Sequence, residues 1–224
     1  MAVNIDNLII TTPVPKSPSN PVALEVTGAQ ALATLTNVVA RQSDGSIRMT
    51  APTKGASSKS THRTRCEWKE PVYWAFGSAA HHRNHQTMTL EKVNFAQKVV
   101  ISQLHVKDDD NPPIKVFWNK GKITVGFRSD FNQTATLSSN VLADVPLGTR
   151  FDVTIEVSES GACTVSASSN GRSGTTATLQ LGASWATRTL NFHGGVYNQV
   201  DYSDDTPADD ASVCVISTLE LSHA

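Results

Sequence analysis

Apolar and polar residues alternate with a period of two along much of this chain, the pattern of strands with one buried face. Phe151-Asp152-Val153-Thr154-Ile155-Glu156-Val157 shows it without a break. Cys163-Thr164-Val165-Ser166-Ala167 follows after Ser158-Glu159-Ser160-Gly161, which predicts a hairpin. A second hairpin is predicted where Ile114 to Trp118 meets Ile123 to Val125 across Asn119-Lys120-Gly121-Lys122. Ser212 to Leu221 alternates again, with Val213, Val215, Leu219 and Leu221 expected on one side. Helical periodicity appears only between Pro21 and Val39, centred on Gly28 to Leu35. Neither a repeat nor a linker divides the chain. Many short antiparallel strands in one unit predict an all-β fold, a single domain over residues 1–224, two sheets face to face as a jelly roll. A curved sandwich of this kind leaves a concave polar face, a groove for an extended polymer.

Three strand-like segments carry residues unsuited to a core. In His62-Arg63-Thr64-Arg65-Cys66-Glu67-Trp68-Lys69, alternation sets Arg63, Arg65, Glu67 and Lys69 on one face. That is either a solvated outer face or an anion-binding strip, since guanidinium groups match carboxylates in a two-pronged geometry. In Val99 to Val106, Gln103 and His105 share a face about 7 Å apart, either turned to water on an edge strand or into a site. In Asn191-Phe192-His193-Gly194-Gly195-Val196-Tyr197-Asn198-Gln199, His193, Tyr197 and Gln199 share a face, and the glycine pair signals a close approach to the backbone.

Length and composition limit the alternatives. At 224 residues with 39% hydrophobic and 17% charged residues, the chain can bury a core. A formal net charge of −1 gives no global attraction for nucleic acid or an anionic membrane, so no nucleic-acid or membrane partner is expected. No apolar run approaches the roughly 20 residues that span a bilayer. The start of the chain has no basic segment followed by an apolar one; a cytoplasmic protein is expected, or an exported one without its leader. Cys66, Cys163 and Cys214 have no CxxC spacing; they read as buried thiols, with a Cys163–Cys214 bridge open for an exported protein. His81-His82-Arg83-Asn84-His85 lacks the partners of a zinc site and reads as a loop, solvated or at the groove rim. Asp108-Asp109-Asp110-Asn111 and Asp201 to Asp210 lack EF-hand spacing and read as turns, so no metal site is expected.

Taken together and in order, the three segments resemble the alginate lyases of polysaccharide lyase family 7. That family carries R-(S/T)-E-L-R, Q-(I/V)-H and Y-F-K-A-G-(V/I)-Y-N-Q. The counterparts are Arg63-Thr64-Arg65-Cys66-Glu67, Gln103-Leu104-His105 and Asn191 to Gln199. Pro113 to Trp118 and Gly148-Thr149-Arg150-Phe151 are similar to the family's spacers. Gly195-Val196-Tyr197-Asn198-Gln199 is the specific part. In this alignment Arg65-Cys66-Glu67 swaps the charges of E-L-R, Asn191 and His193 replace a Tyr and a Lys, and Leu104 replaces a β-branched residue.

The resemblance implies a concanavalin-like jelly roll that cleaves a uronate polymer by β-elimination, alginate first and glucuronan second, with no cofactor. Arg63 and Gln103 would neutralise the uronate carboxylate. Tyr197 would move the protons, and His105 would be a second base or a neutralising group. Arg65, Glu67, Lys115, His193, Asn198 and Gln199 are expected to touch substrate, with Arg65 and Glu67 alternatively forming a structural pair and Asn198 and Gln199 holding the tyrosine strand. The expected partner is an anionic polysaccharide and the expected unit a monomer. Two rival readings remain. A hydrolase needs two carboxylates facing the groove, and Glu67 is the only acid in the three segments. A carbohydrate-binding module needs exposed aromatic rings, for which Tyr73, Trp74 and Trp118 are available.

Overall fold

A computed structural model describes residues 2–59 and 61–224. The alternating segments form two antiparallel sheets. Numbered along the chain, the first sheet holds β1 (Ile9–Ser17), β2 (Asn20–Thr27), β5 (Arg65–Lys69), β7 (Lys98–Val106), β8 (Ile114–Asn119), β9 (Lys122–Phe127), β10 (Leu137–Leu142) and β15 (Leu190–Asn198). The second holds β3 (Val39–Arg41), β4 (Ile47–Pro52), β6 (His81–Lys92), β11 (Arg150–Ser158), β12 (Ala162–Ser169), β13 (Arg172–Thr175), β14 (Leu179–Gln180) and β16 (Ala211–His223). The spatial orders are β10-β9-β8-β7-β15-β5-β1-β2 and β13-β12-β11-β6-β16-β4-β3, with β14 beside β12. The short helix α1 (Gly28–Thr34) starts at Thr27, whose hydroxyl accepts from the Gln30 amide while the Gln30 side chain accepts from the Thr27 amide.

The inner faces meet in one core that includes Met49, Cys66, Trp68, Met88, Leu104, Phe151, Phe192, Val196 and Ile216. Both predicted hairpins form, as β8–β9 and β11–β12. The C-terminal strand departs from its expected face. Cys214 and Ile216 enter the core instead of Val213 and Val215, and a register shift between Ile216 and Thr218 then brings Leu219 and Leu221 against it. One extra residue reverses every later side chain on a strand.

Two other expectations are corrected. All three cysteines are free and buried, and β11 and β6 lie between the strands of Cys163 and Cys214, too far apart for a bridge. Burial pushes both of those thiols up to about 12. The histidine-rich segment is not a loop but the start of β6, in the second sheet. Its His82 turns inward, stacks on Trp74 at 3.9 Å, and shares hydrogen bonds with His223 and the Phe76 carbonyl.

Behind the third motif, Asn198 ties the sheets together. Its side-chain oxygen accepts from Ser212 at 2.6 Å and from Asn94 at 3.0 Å; its amide donates to Thr64 at 2.8 Å and to the Ala51 carbonyl at 3.1 Å. Asn198→Ala strands these buried partners and is expected to cost about 2–4 kcal/mol, read as a lower denaturant midpoint. A midpoint unchanged from the parent would show that the network contributes nothing.

Candidate active site

β5, β15 and β7 lie side by side in the first sheet, so the three motifs become neighbours although they are far apart in sequence. Tyr197 pairs with Arg65 across β15 and β5, and His193 pairs with both Lys69 and Gln103. On β5, Cys66 and Trp68 enter the core, which leaves Arg65, Glu67 and Lys69 on the opposite face. On β7, Leu104 and Val106 enter the core and Gln103 and His105 take that same outer face. β7 is a central strand and Gln103 is buried, so the water-facing edge reading of Gln103 fails.

Gly195 makes the junction possible. Between Gly194 and Tyr197 the register against β7 shifts by one residue. Gly195 adopts φ +124°, and a Cβ there would sit 2.5 Å from the Cys66 carbonyl. The close approach signalled by the glycine pair is therefore the protein's own backbone and core, not a ligand.

The outer face of these strands forms a cleft of about 420 Å³ lined by Thr61, His62, Arg63, Arg65, Gln103, His105, Asp110, Lys115, Tyr197 and Asp201. The Arg65 guanidinium lies 3.7 Å from the centre of the Tyr197 ring. Positive charge thus rests against the ring that must turn negative if the phenol gives up its proton. Arg63 precedes β5 and is drawn aside, its Nε 3.1 Å from Asp201. Burial first, and the Arg65 charge next, push Lys115 below its ordinary range.

Several residues expected to touch substrate sit elsewhere. Glu67 is 3% exposed and lies under the cleft, accepting a hydrogen bond from Gln103 and facing Arg65 at 3.5 Å. Burial alone would raise its carboxyl, but His193, Arg65 and Gln103 outweigh that and hold it at about 2. His193 is 6% exposed and stacks beneath His105, ring centres 4.6 Å apart and nearly parallel. Asn198 is enclosed between the sheets. The Gln199 amide turns back to the carbonyls of Tyr197 and Asn198, away from the cleft. His193 is the correction; Glu67 paired with Arg65, and Asn198 and Gln199 on the tyrosine strand, take the alternative places the sequence left open, because strand parity gives a side chain's face, not its depth.

His105 donates its Nδ1 proton to the Val106 carbonyl at 2.8 Å, which leaves Nε2 as a bare acceptor. Burial first, then the neighbouring His193, push it down to about 3. In the unfolded chain the same imidazole takes a proton near its ordinary 6.5, so folding competes with protonation between 6.5 and 3. Glu67 acts in the same direction: its folded value lies below the ordinary 4.5, so its contribution is lost as pH falls from 4.5 towards 2. Stability should therefore decline on acidification below about 6.5, first through His105 and then through Glu67 as well. Unfolding midpoints should lose part of their slope between 6.5 and 4.5 in His105→Gln, the remainder coming from His82, which burial also pushes down; an unchanged slope would refute the assignment to His105.

Asp110 and Asp201, which the sequence reading left in turns, both line the cleft. Nothing in their spacing signals this, because loops bring them there. Among the described residues no group of three or more His, Cys, Asp or Glu side chains is placed to hold a metal ion. Trp74 and Trp118 are buried in the core and cannot form a sugar-stacking platform. No helix among the described residues is long and apolar enough to cross a membrane.

Comparison with known proteins agrees with this architecture. The fold is shared with an alginate lyase from Pseudomonas aeruginosa, at TM-score 0.82 and 22% identity, covering 99% of this chain and 100% of that one. An alginate lyase from Klebsiella pneumoniae gives TM-score 0.81 at 18% identity, over 98% and 96% of the two chains. Alginate lyase A1-II', a member of polysaccharide lyase family 7, gives 0.79 at 17%, over 99% and 96%. No curated protein sequence matches at a significant level. The alginate lyase family model matches residues 3–223, and the chain belongs to that family of polysaccharide lyases.

Proposed function

We propose that this lyase cleaves a uronate polymer, alginate first and glucuronan second, in the cleft where Arg65 lies against Tyr197. That contact carries the reading, because it joins the cation and the proton-transfer group that β-elimination needs. The C5 proton of a uronate is acidified by its carboxylate, and negative charge grows on that group as the proton leaves. Arg65, and the Gln103 N–H not used by Glu67, are suited to meet it. Tyr197 as phenolate takes the C5 proton. The C5–H electrons form the C4–C5 double bond, the C4–O bond breaks, and the departing oxygen takes the proton from the phenol. Phenolate is restored and the new chain end is a 4,5-unsaturated uronate.

This reading moves the carboxylate-binding role from Arg63 to Arg65. Arg65-Cys66-Glu67-Trp68-Lys69 lies on β5 and keeps the R-x-E order of the family motif, ending in Lys. The apparent charge swap disappears when the alignment is moved by two residues, from Arg63 to Arg65. His105, neutral with a bare Nε2, suits a sugar hydroxyl or a C5 proton on the opposite face, and does not suit donation to a carboxylate.

A hydrolase gains something from the fold, since Asp110 and Asp201 give the cleft two carboxylates. Asp201, however, is engaged by Arg63. Incubation with alginate, mannuronate-rich and guluronate-rich blocks and glucuronan separates the readings. Growth of ultraviolet absorbance from the unsaturated ends supports the lyase. New reducing ends without absorbance would mean hydrolysis, and binding without either would mean a carbohydrate-binding module.

A further inference from the structure

His193 is unused by the scheme above, yet its surroundings are specific. Asn191 donates its side-chain N–H to the Glu70 carbonyl at 2.9 Å, so its oxygen faces His193 and must accept. His193 Nε2 lies 3.0 Å from that oxygen and therefore carries a proton. The other nitrogen, Nδ1, is buried with no hydrogen-bond partner among the described residues and lies 3.8 Å from Glu67 Oε2. A neutral ring would aim a lone pair at a buried carboxylate. A doubly protonated ring aims an N–H at it instead.

We infer that His193 is an imidazolium in the working enzyme and a positioning residue, its charge offsetting Glu67 beneath the carboxylate-binding cleft. This rests on the lyase reading of that cleft. Among the described residues, the charged groups near the ring each have a place. On β5, Arg65 and Glu67 face the cleft floor, and Lys69 is the cross-strand neighbour and reaches Glu25 at 2.6 Å; Glu70, just past β5, is engaged by His223, Trp74 and the Phe192 amide. On β7, Gln103 is the other neighbour and His105 lies flat against the ring. On β8, Lys115 opens to the cleft, and on β15 itself Tyr197 does so.

Two stacked imidazoles do not both carry charge readily, and burial holds His105 neutral. The charge is thus divided: cation below, neutral acceptor above. While His193 keeps its proton, the negative Glu67 is balanced locally, and Arg65 and Lys115 are left to hold the sugar carboxylate. When the proton is lost, Glu67 is answered by Arg65 alone. The cleft then holds a polyuronate less tightly, and the transition state, where the carboxylate is more negative, suffers most.

The test pairs kinetics with spectroscopy on the full chain. Against alginate, kcat/KM of the parent should fall at alkaline pH. His193→Lys, a fixed cation at the same place, should carry the plateau to higher pH; His193→Gln should lower the plateau roughly tenfold, as expected for loss of one nearby charge, and lose the limb. Carbon-13 NMR of the seven histidine rings, with His193 assigned by its disappearance in either variant, reads the proton directly in the parent protein. The expected result is an imidazolium at neutral pH that deprotonates where kcat/KM falls. A neutral His193 at neutral pH, or coincident alkaline limbs in parent and His193→Lys, would overturn the inference. If neither variant folds, His193 is assigned in the parent through its backbone connectivities, and the titration of that ring still decides it. Should the protein cleave no polyuronate while His193 is cationic, the lyase reading has failed and the protonation assignment has not.

Discussion

Tyr197→Phe is expected to lower kcat on a uronate polymer by about 10³-fold or more while leaving the fold intact, because the only proton-transfer atom proposed for both halves of the elimination is gone. The ring itself stays: its packing against Arg65 at 3.7 Å needs the aromatic face, not the hydroxyl. Substrate binding should persist, since Arg65, Gln103 and Lys115 still line the cleft. Loss of turnover with an unchanged unfolding midpoint and unchanged affinity for oligouronate is the pattern to look for. Retained turnover in Tyr197→Phe would remove Tyr197 from the chemistry.

Arg65→Ala should cost about 10²–10³-fold in kcat/KM, the scale of losing one charge-stabilising donor in an enclosed site. Arg63→Ala should cost less than about tenfold, because an exposed guanidinium already paired with Asp201 contributes little net charge to the floor. The contrast separates the two alignments of the arginine motif. The reverse order, with Arg63 indispensable and Arg65 dispensable, would restore the first alignment. Arg65→Ala also exposes Glu67 to an anionic substrate, so KM should rise as kcat falls.

Much of the architecture was legible because burial on one face imposes a two-residue period. The β8–β9 and β11–β12 hairpins and the inward Cys66 and Trp68 of β5 follow from that period, and the helix at Gly28 from the one stretch with helical periodicity. Where the chain breaks the period, the reading slips. The shift between Ile216 and Thr218 exchanged the buried residues of β16, and the one between Gly194 and Tyr197 was signalled only by two glycines. Depth was the harder quantity. Glu67 and His193 share the cleft's face of the sheet but lie beneath it, covered by Gln103 and His105. Asn198 and Gln199 follow the tyrosine directly, yet one is enclosed and the other folded onto its own backbone. Asp110 and Asp201 reach the cleft on loops, where no periodicity operates.

The arrangement also explains how a sheet can hold so many charges on one face. Glu67 is compensated by Arg65, Gln103 and His193, Lys69 by Glu25, and Arg63 by Asp201. Among these Glu67 is the buried charge, and a buried charge persists only when it has partners. The cation left over for a substrate is then a local property of the cleft, in a protein whose formal net charge is −1.

A crystal structure of Tyr197→Phe with a bound oligouronate is the most direct measurement. One sugar's carboxylate should lie within hydrogen-bond distance of both Arg65 and Gln103, with its C5 hydrogen turned towards residue 197. A carboxylate held instead by Arg63 and Lys115 at the rim, with C5 facing solvent, would contradict the account.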